Sequence, residues 1–453
     1  MNRSLAIIIF LVGVALLILT FPDGLGAGAV LVLVSSIVLI IIRQTYGEDS
    51  DYLIRLFFIA LIVRLLFGVL VHVFELRDFF GPDANTYDDM GWLLNKIWFE
   101  NAPTNNLLSQ RALATSGSGW GMSKLVAFIY MLTGRNILAA QSLCAVIGAA
   151  TVPMIYSCAV KIFNNRRVGQ ISALMVALSP AFIIWTGQLL KDGLIIFLLV
   201  MSMTIVLKLQ EKFSYWGVFF LILSLFGIFS LRFYIFFMAA LAIVGSLLIG
   251  TNLSFVSMFR RGFVLIILGL SLTYFGIIKN AGTEFEQYGS LERIQVSRSD
   301  LAKSAESGYG EDLDVSTTSG AILALPVGFI YLMFAPFPWQ ITNLRQLVAF
   351  PEVLLWWMSM PFLVSGLIYA AKTHLRKAIP VIVFSILLTL GYSIFVGNVG
   401  TAYRQRTQIQ VFLFIFVAVG WTLREEKLEN KKILSLAKKK SNWMKLNNTG
   451  NRN

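Results

Sequence analysis

The chain is dominated by apolar runs, most of them about long enough to cross a bilayer. A helix of roughly 20 apolar residues spans the hydrocarbon core, whereas barrel strands appear as alternating segments of about ten residues. The runs fall at 4–21, 26–42, 52–74, 120–133, 136–160, 168–187, 189–207, 214–231, 233–250, 262–278, 319–337, 352–371, 378–396 and 407–423. We therefore predict an all-α integral membrane protein, a polytopic helical bundle with about 12–14 membrane segments.

Composition agrees with this class. Charged residues make up 13% of the 453 residues and mean hydropathy is +0.75, whereas a soluble domain carries roughly 25% charged residues. The net charge of +13 collects in short loops and in the C-terminal tail, which indicates contact with anionic lipid rather than nucleic acid. Cys144 and Cys158 lie in apolar stretches, and with His72 and His374 they form no zinc pattern.

The distribution of Lys and Arg predicts the orientation. Residues 1–423 are expected to form one transmembrane domain, and 424–453 a basic cytoplasmic tail. Basic loops on the cytoplasmic side leave two segments, 120–133 and 319–337, that do not cross fully, so about twelve crossings remain. Both termini are then cytoplasmic in the plasma (inner) membrane, with an uncleaved first helix. The polar intervals 77–118 and 279–318 face outward, and the second, rich in Ser and Gly, is predicted to be a mobile loop.

The first polar interval carries an unusual density of aspartates. Four of them, Asp78, Asp83, Asp88 and Asp89, fall within a dozen residues after a predicted span. A general base must be ionised, oriented and close to the proton that it removes. Asp83 is the first candidate because the turn Gly81-Pro82 fixes its position. Asp88 and Asp89 are held in reserve, as partners or as ligands of a divalent cation, although neighbours on a helix point about 100° apart.

Charged residues also stand at the outward ends of later segments. Lys191 and Asp192 interrupt an apolar stretch. Because a charge in hydrocarbon is energetically costly, an ionisable pair at this position is a candidate for function. Arg232 lies between two spans with almost no loop, and Arg404 and Arg406 precede the last span. Guanidinium groups bind phosphate by planar bidentate contacts. Lys191, Arg232, Arg404 and Arg406 are therefore predicted to bind a lipid phosphate or diphosphate. The alternative for these cations is simple anchoring at the interface.

Four elements in residues 55–210 follow one another in a recognisable order. They are the loop Gly81-Pro82-Asp83-Ala84-Asn85-Thr86-Tyr87, the stretch 132–143, the basic helix end 161–167, and the stretch from Ala177-Leu178-Ser179-Pro180 to Lys191-Asp192. This order resembles the N-terminal half of the GT-C-type polytopic membrane glycosyltransferases, such as the protein O-mannosyltransferases and the lipid A aminoarabinose transferase. The resemblance implies an inverting transfer from a polyprenyl-phosphate-linked sugar outside the cytoplasm. It also implies that Asp83 is the base and Asp192 a second acid.

The chain departs from that family in two places. The Lys/His-Pro-Pro-Leu element is absent, and residues 115–124, ending in Lys124, stand in its place. A large C-terminal outer domain is also absent, so a glycan or lipid acceptor is expected rather than a folded protein. The predicted function is glycosyl transfer in envelope or exopolysaccharide assembly. Two alternatives remain open: a polysaccharide polymerase or ligase that joins diphosphate-linked repeats, and a flippase for lipid-linked oligosaccharides, which would need more polar residues at depth.

Overall fold

The protein is helical throughout its described part. The computed structural model describes residues 11–16, 18–115, 119–249, 255–274, 276–303, 307–310 and 312–450. Within these residues the regular elements are helices, apart from one isolated antiparallel bridge between Gly308 and Asn398. The prediction of an all-α chain is confirmed. Of the predicted first segment, residues 4–10 and 17 lie outside the described part, as do 116–118 of the stretch before Lys124.

The helices up to residue 211 are α1 (Asp23–Tyr46), α2 (Ser50–Val73), α3 (Arg77–Phe80), α4 (Asp83–Phe99), α5 (Leu107–Leu113), α6 (Trp120–Thr133), α7 (Ile137–Phe163), α8 (Arg166–Leu178), α9 (Pro180–Thr186) and α10 (Lys191–Glu211). Those that follow are α11 (Tyr215–Leu231), α12 (Phe233–Ile249), α13 (Phe255–Tyr274), α14 (Ile277–Tyr288), α15 (Leu291–Lys303), α16 (Thr318–Phe334), α17 (Leu344–Tyr369), α18 (Leu375–Phe395) and α19 (Val399–Gly450).

Within the described residues, five helical stretches are long and apolar enough to cross a membrane, or six if the bent pair α8–α9 forms one span. The five are Asp23–Val73, Ile137–Phe163, Lys191–Glu211, Leu344–Phe395 and Val399–Ala437. The first contains α1 and α2, and the fourth contains α17 and α18. The chain is therefore consistent with a membrane protein, while the number of about twelve crossings stays a prediction. At 14 residues, α6 is only about 21 Å long, shorter than the hydrocarbon core.

Helix α7 lies at the centre of the N-terminal helices because its small side chains allow close approach. It packs against α1, α2, α8 and α10. A Cβ atom added at Gly148 would lie 2.5 Å from Cβ of Thr186, so a larger residue would push α9 away. Asn136 donates to the carbonyl of Asp23 at 2.8 Å, and Tyr46 donates to that of Pro153 at 2.8 Å, so α1 runs parallel to α7. Helix α2 returns antiparallel, with Gly68 against Gln141.

Ion pairs identify the end of the bundle that is opposite the acidic stretch. Arg166 pairs with Glu48 at 3.2 Å, Arg167 pairs with Glu425 at 3.2 Å, and Lys377 pairs with Glu211 at 3.5 Å. The basic loops at 161–167, 208–212 and 372–377 therefore lie together at one end of the bundle. The tail from residue 424 continues α19 as a helix up to residue 450. That this end is cytoplasmic stays a prediction.

A buried arginine stabilises the break between α8 and α9. The two helices are bent by 58° where Pro180 interrupts the chain, which frees the last carbonyls of α8. Arg64 is fully buried and donates to the carbonyls of Val176 at 3.2 Å and Ala177 at 3.1 Å. It also donates to Oγ1 of Thr186 at 2.7 Å. This mid-span cation therefore has a structural role, since it satisfies carbonyls that the bend leaves open.

The interval 279–318, predicted to be a mobile loop, is largely helical where it is described. It contains most of α14 and all of α15, and residues 304–306 and 311 lie outside the described part. Arg298 on α15 is 1% exposed and donates to the carbonyls of Ile394 and Val396 at 3.1 Å each. The Ser and Gly content was therefore misleading, because one buried arginine anchors this segment to the end of α18.

We expect Arg298→Ala to lower the free energy of unfolding by about 1–3 kcal/mol, because the two buried carbonyls of Ile394 and Val396 lose a charged donor. The measurement is the thermal midpoint of the detergent-solubilised protein, followed by tryptophan fluorescence. Arg293→Ala is the matched control, since Arg293 is exposed on the same helix and its removal should change little. Equal midpoints for the two variants would contradict the anchoring role.

Candidate functional site

The turn Gly81-Pro82 positions the first acidic candidate. Asp83 is the first residue of α4, directly after Pro82, and does not lie in a loop. A Cβ atom at Gly81 would lie 2.9 Å from Cδ1 of Leu190 and 3.4 Å from Oε1 of Gln188. The turn therefore lies directly against the segment that leads into α10. The start of α4 and the start of α10 are thereby brought together.

Asp192 is the centre of a buried ion cluster. Its carboxylate is 0% exposed and receives Nε and Nη2 of Arg404 on Oδ2, at 2.8 Å and 2.6 Å. Its other oxygen, Oδ1, faces Nη2 of Arg232 at 3.2 Å and Nε2 of Gln408 at 3.2 Å. Both oxygens are occupied and neither meets solvent. This geometry suits a carboxylate that orients two arginines better than one that exchanges protons.

Asp83 occupies the exposed edge of the same cluster. Its Oδ2 lies 2.9 Å from Nη1 of Arg404, and its side chain is 44% exposed. Arg404 therefore bridges a buried carboxylate and an accessible one. Among the described residues, Oδ1 of Asp83 has no hydrogen bond. The structure thus brings Asp83, Asp192, Arg232 and Arg404, four of the residues predicted to form a site, into one connected group.

Lys191 lies near Tyr87, which is on the helix that Asp83 begins. A Cβ atom at Gly119 would be 3.1 Å from Nζ of Lys191 and 3.3 Å from the hydroxyl of Tyr87, which places those two polar groups around one glycine. Gly119 has φ +92°, a conformation that favours glycine. Tyr87 is one helical turn after Asp83. Burial, and then the Asp83 carboxylate, raise the pKa of Tyr87 well above its usual range, so its hydroxyl remains a donor.

The reserve candidates lie apart from this cluster. Asp88 and Asp89 both pair with Nη2 of Arg135, at 2.7 Å and 2.6 Å, and Tyr130 also donates to Asp88. The hydrogen bond to Asp88 raises the pKa of Arg135 above its usual value. The two adjacent aspartates therefore share one partner, Arg135. The angle of about 100° between neighbours on a helix had predicted that they would not face the same group. In the described part of the chain, no group of three or more His, Cys, Asp or Glu side chains is placed to hold a metal ion.

Two predicted cations also lie elsewhere. Arg406 is 1% exposed and its Nη1 donates to the carbonyls of Met333 and Ala335 at 3.0 Å each. It lies two residues after Arg404, so a helix directs the two side chains to nearly opposite faces. Lys124 places its ammonium 4.5 Å from the ring centre of Trp120. Neither side chain joins the Asp192 cluster.

Several members of the site were missed by the sequence reasoning. Gln408 bonds Asp192, and Tyr392 donates to Oε1 of Gln408 at 2.6 Å. Glu352 is 7% exposed and accepts from Oγ of Ser179, from the backbone N–H of Ala181 at 2.7 Å and from the hydroxyl of Tyr403. Its signal was available, since a lone acid within an apolar stretch is unusual. Glu352 caps the start of α9 and ties it to the turn of α19 that carries Arg404.

A cavity of about 610 Å³ opens beside the ion cluster. Its walls come from the chain around Phe79–Pro82, from α9, and from the beginnings of α17 and α19, and Arg404 contributes to its lining. Ligand sites commonly have volumes of about 300–1,000 Å³. Arg404 also lies 5.5 Å from the ring centre of Trp185, which lines the same cavity. Asp83 itself is not among the lining residues, but its neighbour Pro82 and its ion-pair partner Arg404 are.

No protein-family model matches the chain, and no curated protein matches it. The resemblance to GT-C-type glycosyltransferases stays a prediction.

We expect Asp192→Asn to destabilise the protein by about 3–5 kcal/mol, because it leaves two buried arginines without their shared anion. The thermal midpoint in detergent measures this effect. Asp89→Asn is the control: Asp89 is 68% exposed, so its loss should cost less than about 0.5 kcal/mol. A thermal midpoint for Asp192→Asn equal to that of wild type would show that the ion cluster does not contribute to the stability of the fold.

Proposed function

We propose that the protein is a membrane glycosyltransferase that moves a sugar from a polyprenyl-phosphate-type carrier to a glycan or lipid acceptor in envelope or exopolysaccharide assembly. The observation that carries the proposal is the Asp83–Arg404 pair. An accessible carboxylate and a guanidinium are held 2.9 Å apart at the mouth of a helical bundle. Asp192 holds Arg404 in place through a second ion pair at 2.6 Å, and Arg404 also lines the cavity. The GT-C-like architecture, the outward location and the cytoplasmic termini belong to the same proposal.

In the proposed reaction, Oδ1 of Asp83 takes the proton of an acceptor hydroxyl. The hydroxyl oxygen forms a bond to the anomeric carbon, and the bond from that carbon to the phosphate oxygen breaks. The electron pair of the broken bond stays on the leaving phosphate, where cations stabilise the negative charge as it develops. Arg404 is the nearest of these cations to Asp83, and Lys191 and Arg232 add to the same field. One displacement of this kind inverts the anomeric configuration.

The excess of cations favours a second candidate, a polymerase or ligase for diphosphate-linked repeats. Lys191, Arg232 and Arg404 surround only two carboxylates, Asp83 and Asp192. In such an enzyme the arginines that bind the leaving group would matter more than a base. The two candidates predict different effects for the same pair of substitutions.

Transfer in proteoliposomes with extracted lipid-linked sugars separates the candidates. We expect Asp83→Asn to reduce the rate by about 10²-fold to 10⁴-fold, the usual contribution of a general base, while donor binding is kept. Asp89→Asn is the matched control and should transfer normally. Asp89 lies on the same helix as Asp83 but pairs with Arg135, away from Arg404. Wild-type rates in Asp83→Asn would remove Asp83 from the mechanism. If Arg404→Lys were then inactive, the polymerase or ligase would be the better assignment.

A further inference from the structure

A second cavity runs along the N-terminal helices, apart from the ion cluster. Its volume is about 360 Å³, and its walls come from residues 12–16 and 20, from α1 and α2, and from the first turns of α7. On α1 the lining residues recur on one face from Gly24 to Leu39, a distance of about 22 Å along the helix axis. The cavity is therefore a slot that runs parallel to α1.

The dimensions of the slot fit one hydrocarbon chain and exclude a helix. A volume of about 360 Å³ over a length of about 22 Å gives a mean cross-section of about 16 Å². An α-helix with its side chains has a diameter of about 10–12 Å, which corresponds to a cross-section of about 80–110 Å². A helix of a second copy therefore does not fit this space, whereas a single extended chain of methylene groups does.

One edge of the slot opens onto an apolar surface. Val32 lines the slot and is 63% exposed, and Leu25 and Leu33 on the same helix are 62% and 64% exposed. Helix α1 belongs to a stretch that is long and apolar enough to cross a membrane. The molecules that meet this opening are therefore the lipids of the bilayer.

A buried amide lies towards one end of the slot. Gln141 on α7 lines the slot and is 4% exposed, and among the described residues its amide has no hydrogen-bond partner. An unpaired buried amide costs about 1–3 kcal/mol, so this group favours a ligand with a polar atom. Ser35 also lacks a partner further along the slot, but a serine can rotate to bond a carbonyl of its own helix, as Ser36 does at 2.7 Å.

The depth of Gln141 matches that of a lipid ester. Helix α7 has 27 residues and is about 40 Å long, close to the thickness of a bilayer with its headgroup regions. Gln141 lies one turn after the start of α7, about 6 Å inside this end. The hydrocarbon core begins about 5–7 Å inside the edge of a bilayer, and glycerol esters join their acyl chains at this boundary.

The length of slot beyond Gln141 matches one leaflet. Asn136 donates to the carbonyl of Asp23, and α1 and α7 run parallel, so Gln141 is level with Gly28. From Gly28 to Leu39 the slot continues for about 16 Å. Half of the hydrocarbon core is about 15 Å, the depth that one acyl chain occupies.

We infer that the slot binds a glycerolipid of the bilayer, with one acyl chain extended along α1 and with its ester carbonyl accepting a hydrogen bond from Nε2 of Gln141. The bound lipid fills the space between α1, α2 and α7 and satisfies the buried amide. This site shares no lining residue with the 610 Å³ cavity. It is therefore independent of the proposed transfer reaction.

The test uses the full-length protein in detergent, and native mass spectrometry measures the lipid that stays bound. The probes are dioleoyl phosphatidylcholine and its ether analogue, which has the same chains and headgroup but no ester carbonyl. We expect wild type to bind one molecule of the ester lipid, and to bind the ether lipid about threefold to tenfold less tightly, the loss of one hydrogen bond. Gln141→Leu should bind both lipids equally, at the weaker affinity.

A second variant tests the slot without removing the amide. Gly13 lines the slot, and a Cβ atom added there would meet no atom within 4 Å, so Gly13→Leu places a larger side chain in the slot without a clash. We expect it to weaken binding of both lipids by about tenfold or more. Gly269→Leu is the matched control, because Gly269 has equally open surroundings but does not line the slot.

Equal binding of the ester and ether lipids by wild type would overturn the inference, and so would unchanged binding in Gly13→Leu. Retention of a polyprenyl phosphate in preference to the glycerolipid would assign the slot to the sugar carrier instead. A dimer that holds no lipid would assign this face to a second copy. Either result contradicts the inference, and none of these readouts depends on transferase activity.

Discussion

The rest of the structure depends on one buried carboxylate. Asp192 is inaccessible to solvent, and burying a charge costs on the order of several kcal/mol unless partners surround it. Its partners come from far along the chain: Arg232 from the junction of α11 and α12, and Arg404 and Gln408 from α19. Because these groups must meet around Asp192, the helices that carry them have little freedom. The cluster thereby fixes the relative positions of α10, α19 and the α11–α12 junction.

Residues of the same type have different roles in this arrangement. Arg404 contacts the cluster and lines the cavity, whereas Arg406 donates to the carbonyls of Met333 and Ala335. Asp83 reaches solvent, whereas Asp192 does not. Accessibility and free hydrogen-bonding capacity, rather than residue type, therefore decide which side chains are available for chemistry. By that measure Asp83 is the available group, and Asp192 and Glu352 hold others in place.

The helical fold and most of the charged residues of the site could be predicted from the sequence, for physical reasons that also explain what could not. Apolar runs predict helices because the bilayer leaves the backbone few choices, and charges at helix ends are conspicuous against such a background. Asp83, Lys191, Asp192, Arg232 and Arg404 were all found in this way. Their two-residue spacing places Arg404 and Arg406 on nearly opposite faces of a helix, but the sequence did not show which face meets Asp192. The interval 279–318 was misjudged because polar composition hides a helix that is held by one buried arginine.

The distance along the chain between Asp192 and its partners has a consequence for biogenesis. Arg404 follows Asp192 by 212 residues, so α10 is synthesised long before the arginine that neutralises its first turn. Until α19 arrives, the nascent bundle holds a carboxylate without its principal counter-charge. Completion of the last helix is therefore coupled to assembly of the ion cluster. A product truncated before residue 399 would keep Arg232 beside Asp192 but lack Arg404 and Gln408, so its buried carboxylate would be only partly neutralised.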